Sequence, residues 1–214
     1  MNAAVDFCLY LITDRLSLGP GGNLLKAVEQ ALLGGVPAVQ LREKDLSACE
    51  LFELAVGMRT LTRRYGARLL INDRVDVALA AEADGVHLGH HSLPVENVRK
   101  LLGPEKLIGV STHRLEQILP AARGGADFIT FSPIFHTPSK AGYGPPQGIE
   151  RLRSACRTSP IPVFALGGIQ LEKLDGIGAA GAHGIALISG IQSAADPCSA
   201  ARALLDSLKA LNFQ

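Results

Sequence analysis

Pro162-Val163-Phe164-Ala165-Leu166-Gly167-Gly168-Ile169 and, one helix-length interval later, Gly184-Ile185-Ala186-Leu187-Ile188-Ser189-Gly190 are short apolar runs that end on glycines or a serine. Continuous apolar runs of this length, bounded by turn residues, read as strands buried on both faces, and an amphipathic segment follows each. In a parallel sheet this layout sets two groups of backbone N–H side by side at the carboxyl ends of adjacent strands. A (β/α)₈ barrel commonly holds a phosphate there. The pair points to an enzyme or binder of a phosphorylated small molecule, although Gly167-Gly168 taken alone would serve equally as a tight turn.

Working outward, the same phrase recurs: Gly34-Gly35-Val36-Pro37-Ala38-Val39-Gln40-Leu41, Ala83-Asp84-Gly85-Val86-His87-Leu88, Gly124-Gly125-Ala126-Asp127-Phe128-Ile129-Thr130-Phe131 and Gly181-Ala182-His183-Gly184-Ile185-Ala186-Leu187. Each couples a helix end, mostly marked by glycine, to an apolar strand. Further apolar runs lie between them, at Phe7 to Thr13, Arg68 to Ile71, Leu107 to Val110 and Pro162 to Leu166, which makes eight strands. The intervening segments have helical apolar spacing, for example Leu51, Leu54, Ala55, Met58 and Leu61, or Val98, Leu101 and Leu102. Strands alternating with helices require parallel pairing and right-handed crossovers, and eight units of about 25 residues each give a single-domain (β/α)₈ TIM barrel over residues 1–214. A doubly wound open sheet is the alternative, but no GxGxxG follows the first strand. The one long irregular connection, Ser132 to Gly148, is rich in Pro and Gly and reads as an active-site lid.

Composition narrows the classes. With 214 residues, 47% hydrophobic and 5% aromatic, and with 23 glycines, the chain has enough small and branched side chains for layered barrel packing. Lys plus Arg (21) nearly balance Asp plus Glu (20), so no basic field points to nucleic acid or to an anionic membrane. Cys8, Cys49, Cys156 and Cys198 are widely spaced with no CxxC, so neither zinc nor a disulfide framework is signalled, and mostly buried, reduced thiols in a cytoplasm are expected. The amino terminus has no basic region before a short apolar run, so neither export nor a membrane span is expected.

In a barrel, polar residues at the carboxyl ends of strands line the catalytic face. Here they are Thr13 and Asp14; Gln40, Arg42, Glu43 and Lys44; Asn72 and Asp73; His87 onward; Ser111 and His113; Thr137, Ser139 and Lys140; Gly167 and Gly168; and Ser189. Arg42, Lys44 and Lys140 suit a polyphosphate, Asp73 suits a bridging magnesium ion, and the late-strand glycines suit a monophosphate. Two phosphate sites in one cavity suggest two phosphorylated substrates. Plainer readings stand beside these. The cations would equally be solvated or paired with Glu43 or Asp45, and Asn72-Asp73 would equally cap the helix of Val75, Val77 and Leu79. His87, His90 and His91 have no carboxylate or cysteine at ligand spacing, which argues against a transition-metal site. His113 serves either as a proton shuttle or as a core or capping imidazole.

These residues resemble the family of thiamine phosphate synthase and its relative, thiazole tautomerase. The resemblance covers nearly the whole chain and rests on Val39-Gln40-Leu41-Arg42-Glu43-Lys44, Ile71-Asn72-Asp73, Gly85-Val86-His87-Leu88-Gly89, Gly109-Val110-Ser111-Thr112-His113, Ser132-Pro133-Ile134-Phe135 with Thr137-Pro138-Ser139-Lys140, and Gly167-Gly168-Ile169. It implies a transferase that couples hydroxymethylpyrimidine diphosphate to thiazole phosphate and releases pyrophosphate. It further implies that Gln40, Arg42, Lys44, Asn72 and Lys140 bind the pyrimidine diphosphate, that Asp73 ligates Mg²⁺, and that Ser111 faces the pyrimidine or the leaving group. Thr137 and Ser139, with backbone at Gly168, Ile188 and Ser189, would hold the thiazole phosphate.

One position departs from the pattern. The family places a second magnesium-binding aspartate shortly after Gly89, where this chain has Ser92. A hydroxyl supplies less charge than a carboxylate, so a weakened Mg²⁺ site is expected. The loss leans toward the tautomerase branch, in which a histidine at the position of His113 moves a proton. Arg42, Lys44, Asn72-Asp73 and Lys140 would be surplus there, and the synthase reading is preferred. A silent barrel that binds a thiamine precursor is the third reading. A homodimer is compatible with the sequence.

Overall fold

Alternate residues along each strand face opposite ways, and both sets are apolar here, so every strand must be covered on both sides. The computed structural model describes residues 4–137 and 145–213. Strands β1 (Leu9–Ile12), β2 (Ala38–Leu41), β3 (Arg68–Asn72), β4 (Gly85–Leu88), β5 (Leu107–Thr112), β6 (Phe128–Phe131), β7 (Val163–Leu166) and β8 (Gly184–Leu187) pair in sequence order and close into a barrel. Every pairing is parallel, including β1 with β8, where Leu9, Tyr10 and Leu11 lie opposite Ile185, Ala186 and Leu187. Helices α1 (Leu24–Leu33), α2 (Ala48–Arg64), α3 (Val75–Ala80), α4 (Val95–Leu102), α5 (Ile118–Arg123), α6 (Gly148–Thr158), α7 (Leu174–Ala179), α8 (Ser189–Gln192) and α9 (Pro197–Ala210) alternate with or follow the strands. The expected (β/α)₈ barrel is the observed one.

Leu9, Leu11, Val39, Leu41, Leu69 and Ile71 point outward and form the core layer against the helices, while Tyr10, Ile12, Ala38, Leu70, Phe128 and Phe164 fill the barrel. Helix α2 begins with a reciprocal capping box between Ser47 and Glu50 and buries Leu51, Ala55 and Met58 at helical spacing. On α4 the buried stripe is Val98 and Leu102, and Leu101 is 59% exposed, because only one of two adjacent residues can face the sheet.

The barrel interior is more aromatic than the composition suggested. Phe7, Tyr10, Phe128 and Phe164 meet one another at ring-centroid distances of 5.3–6.3 Å, and His87 joins them at 5.7 Å from both Tyr10 and Phe128. Glycine at inward positions makes the room. A Cβ on Gly109 would lie 2.4 Å from Phe128 Cζ and 2.5 Å from His87 Nδ1. The rings plug the barrel below its carboxyl-terminal mouth.

The recurring phrase of the sequence has one structural meaning. Gly35, Gly125 and Gly181 take left-handed φ values of +96°, +98° and +88°, three residues before their strands, and Glu82 takes the same place at +51°. Two of the phrases then supply an aspartate that locks neighbouring strands. Asp84 accepts the backbone N–H of Leu69 at 2.7 Å and pairs with Arg59 at 2.6 Å; Asp127 accepts that of Ile108 at 2.7 Å and pairs with Arg99. Asp84→Ala removes a carboxylate whose side chain is 16% exposed, strands Arg59 and leaves the Leu69 N–H unmatched. The expected loss is roughly 2–3 kcal/mol, read from the urea midpoint, whereas Arg63→Ala, whose pair with Glu82 is exposed on both sides, should leave that midpoint nearly unchanged.

All four cysteines are free thiols, but the expected burial is only partial: Cys8, Cys156 and Cys198 are half-buried and Cys49 is exposed. No described helix is long and apolar enough to cross a membrane.

Candidate active site

Two cavities open where the strands end at their carboxyl termini, and different loops line them. The first, about 930 Å³, lies over β2 to β5 and is lined among others by Arg42, Lys44, Asn72, Asp73, Ser111 and His113. The second, about 300 Å³, lies over β6 to β8 and is lined among others by Thr137, Gly167, Gly168, Ile188 and Ser189. Volumes of this order suit small-molecule ligands.

The β2 end carries the cations. Among the described residues neither Arg42 nor Lys44 forms an ion pair, so the plainer reading that Glu43 or Asp45 neutralises them fails. Asp45 pairs instead with Arg15, and Glu43 turns away from both neighbours to accept the Thr13 hydroxyl at 2.6 Å. Gln40 lies one inward position below, buried, where its amide donates to the Tyr10 hydroxyl at 3.1 Å; it is beneath the first cavity and not in its lining. Burial holds the Tyr10 phenol far above its ordinary pKa, so it stays protonated.

At the β3 end the chain turns sharply. Asn72 closes the strand and Asp73 takes the left-handed φ of +65°, its N–H donating to His87 O at 2.9 Å. This turn sets the exposed Asp73 in the lining of the first cavity. The alternative of a helix cap does not hold: the N-cap of α3 is Arg74, and it makes no side-chain capping bond. Across the cavity, Ser92 Oγ accepts the Gly89 N–H at 2.7 Å, so the hydroxyl at the variant position closes its own loop. His90 and His91 stand exposed beside it with their rings 5.0 Å apart.

At the β5 end, Ser111 Oγ is 3.0 Å from His87 Nε2, which rises from the barrel interior. His113 Nδ1 lies 2.8 Å from the carbonyl oxygen of Ser132. A carbonyl oxygen can only accept, so Nδ1 is the donor in this contact. His113 lines the first cavity and is tied to Ser132, from which the chain runs on to Thr137 in the lining of the second.

In the second cavity the β7 turn is held from two sides. Ile134 and Phe135 N–H donate to Leu166 O and Gly167 O at 2.9 and 3.0 Å, and Lys173 Nζ donates to Gly168 O at 3.1 Å while lying 4.6 Å from the centroid of the Phe135 ring. After β8, Ile188 is the N-cap of the short helix α8 and makes no side-chain capping bond, so Ser189 and Gly190 stand in the first turn, where helical N–H groups have no intrahelical partner.

Of the residues expected from sequence, Arg42, Lys44, Asn72, Asp73, Ser111 and His113 gather on the first cavity, and Thr137, Gly168, Ile188 and Ser189 on the second. Ser139 and Lys140, with the rest of 138–144 in the expected lid, lie outside the described residues. Sequence reasoning missed Arg74 and Arg114 on the first cavity and Lys173 on the second. Arg74 and Arg114 directly follow motif residues and could have been found by extending each motif by one. Lys173, five residues beyond Gly168, had no such signal.

A closed parallel barrel with paired cavities at its carboxyl-terminal face is the architecture of barrel enzymes, which carry their active sites at that face. Residues 9–191 match the model of the thiamine monophosphate synthase family. A protein named putative thiamine-phosphate synthase from Geobacter sulfurreducens is 59% identical over 95% of both chains, and the thiamine-phosphate synthase of Desulfitobacterium hafniense strain Y51 is 42% identical over 95% of this chain and 98% of its own. Among solved structures, thiamine phosphate pyrophosphorylase from Pyrococcus furiosus superposes with a TM-score of 0.85 at 36% identity, covering 96% of each chain. The chain belongs to the thiamine monophosphate synthase family, and it is a transferase of the thiamine-phosphate synthase type.

Proposed function

We propose that the first cavity takes hydroxymethylpyrimidine diphosphate, that the second takes the phosphate of the thiazole, and that the barrel mouth brings the two together for coupling. The observation that carries this reading is the difference between the cavities: Arg42 and Lys44, which form no ion pair among the described residues, on the first, and a glycine turn and the first turn of α8 on the second. A diphosphate needs more charge than a monophosphate, and the chain divides its resources accordingly.

In the coupling, the bond between the pyrimidine methylene carbon and the diphosphate oxygen breaks, a pyrimidine-methyl cation forms, and the thiazole nitrogen supplies the electron pair of the new C–N bond. No protein nucleophile is required. Arg42 and Lys44 stabilise charge that grows on the departing pyrophosphate, and that gain is realised in the transition state. Ser111, oriented by His87, faces the pyrimidine; Asn72 binds the same substrate, and Gln40 supports the floor below. Lys140 and Ser139 would add to the diphosphate and thiazole-phosphate contacts. The cytoplasm is the expected compartment.

Magnesium fits the donor set. Asp73 offers one carboxylate to the first cavity, and Mg²⁺ commonly takes one or two carboxylates and completes its shell with substrate phosphates and water. When bound, the ion would neutralise diphosphate oxygens. With the Ser92 hydroxyl engaged by Gly89 N–H, Asp73 carries this role without a second carboxylate at that position.

His113 favours a second reading, isomerisation of the thiazole carboxylate phosphate, because it sets an imidazole in the lining of the first cavity, and imidazole is the side chain most often used for proton transfer. The test is incubation of the purified protein with both phosphorylated precursors and Mg²⁺, with coupling and isomerisation assayed in parallel. Thiamine phosphate and pyrophosphate should appear in equal amounts. Isomerised thiazole without coupling would overturn the proposal.

A further inference from the structure

The mechanism above leaves one buried ionisable group of the first cavity unused. Glu43 stands between the two cations of the diphosphate clamp, is only 5% exposed and touches neither of them. Its contacts run instead to the loop after β1. Oε1 accepts the Thr13 hydroxyl at 2.6 Å, and the same Thr13 oxygen accepts the backbone N–H of Arg42 at 2.9 Å. Oε2 accepts the backbone N–H of Arg15 at 3.0 Å, and the Arg15 guanidinium reaches from that carboxylate to Asp45.

The segment after β2 is thus tied at Arg42 through Thr13, at Glu43 directly and at Asp45 through Arg15, so Lys44 is bracketed by fixed residues. The β1 loop is itself anchored: Thr13 N–H donates to Gln40 O at 2.9 Å, and the buried Gln192 amide accepts the Asp14 N–H at 3.2 Å and donates to the Asp14 carbonyl. Burying a carboxylate is unfavourable, and burial pushes the Glu43 carboxyl up, while hydrogen bonds from Thr13 and Arg15 pull it back. Burying a charge at this point is a cost, and it is offset only by what the carboxylate holds in place.

We propose that Glu43 is a positioning residue for the diphosphate site, fixing the backbone of the Arg42–Lys44 segment through Thr13 and Arg15 so that both cations meet the diphosphate without having to be ordered on binding. A clamp whose backbone is held before the ligand arrives loses less conformational entropy when it engages, so the effect falls on diphosphate affinity first. The inference rests on the assignment of the first cavity to a diphosphate. It singles out one atom set: an acceptor pair facing a hydroxyl and a backbone N–H. In Glu43→Gln the carboxamide oxygen can still accept from Thr13, but its amide nitrogen then confronts the Arg15 N–H with a second donor.

The test uses inorganic pyrophosphate as the probe, titrated with Mg²⁺ into the whole protein by calorimetry, together with KM and kcat for each substrate. Glu43→Gln and Thr13→Val should each weaken pyrophosphate about tenfold or more and raise KM for the pyrimidine diphosphate, with KM for the thiazole phosphate unchanged. Thr13→Ser, which keeps the hydroxyl, should restore both to wild-type values. A merely structural role would lower the melting temperature without separating the two KM values. Equal pyrophosphate affinity in all four proteins would overturn the inference and leave the diphosphate assignment standing. Failure of the wild type to bind pyrophosphate would overturn that assignment, and this inference with it.

Discussion

With the thiazole phosphate in the second cavity, as proposed, Gly168→Val should weaken its binding severely and leave pyrophosphate binding in the first cavity intact. Two physical effects act together at this position. Gly168 holds φ +64°, a left-handed conformation that a β-branched residue adopts at a cost of roughly 1–2 kcal/mol. The added Cβ would also lie 2.6 Å from His136 O and 2.9 Å from Phe135 Cβ. Backbone and a packed ring base cannot yield as the tip of a flexible side chain would, so either the turn or the 135–136 segment must move. Both edges belong to the second cavity, because the Lys173 ammonium bonds Gly168 O on one side and lies over the Phe135 ring on the other. A loss of about 100-fold or more in affinity is expected by titration of the thiazole phosphate, with the Gly168→Ala variant intermediate. Wild-type affinity in Gly168→Val would remove the phosphate from this cavity.

The barrel was legible in the sequence because its signals are redundant. Four copies of one helix-end-to-strand phrase, with apolar runs between them, leave few topologies, and a residue shared between copies, such as Asp84 and Asp127, turns out to perform the same local task twice. What the sequence could not show was which way side chains turn at the mouth. Glu43 reads as a counter-ion for Arg42 and Lys44 because it lies between them, yet its carboxylate crosses to a loop 30 residues earlier in the chain. Asn72-Asp73 reads as a helix cap with equal ease, and only the left-handed turn at Asp73 decides against it. Gln40 alternates correctly to the inside but stops at the Tyr10 hydroxyl, one layer short of the cavity. These outcomes depend on pairings between loops that are distant in sequence, and no local pattern encodes them.

Asp73→Asn and His113→Ala separate the two chemistries that the mouth could support. Asparagine tolerates the left-handed region nearly as well as aspartate, so Asp73→Asn keeps the β3 turn at φ +65° and removes only the negative charge. If diphosphate departure is the hard step, losing the one carboxylate proposed to hold Mg²⁺ should cost about 3 kcal/mol of transition-state stabilisation. That is roughly two orders of magnitude in the coupling rate, and the Mg²⁺ concentration needed for activity should rise. His113→Ala removes an imidazole of the cavity lining that is oriented by the Ser132 carbonyl. Proton transfer is the substance of isomerisation, where loss of the base should cost roughly 10²–10⁴-fold, whereas coupling moves no proton from carbon and should lose far less. Values of kcat/KM for both variants in both assays distinguish the cases. A synthase is crippled at Asp73 and only slowed at His113. Coupling that survives Asp73→Asn, beside isomerisation abolished by His113→Ala, would instead make proton transfer at His113 the reaction for which this mouth is built.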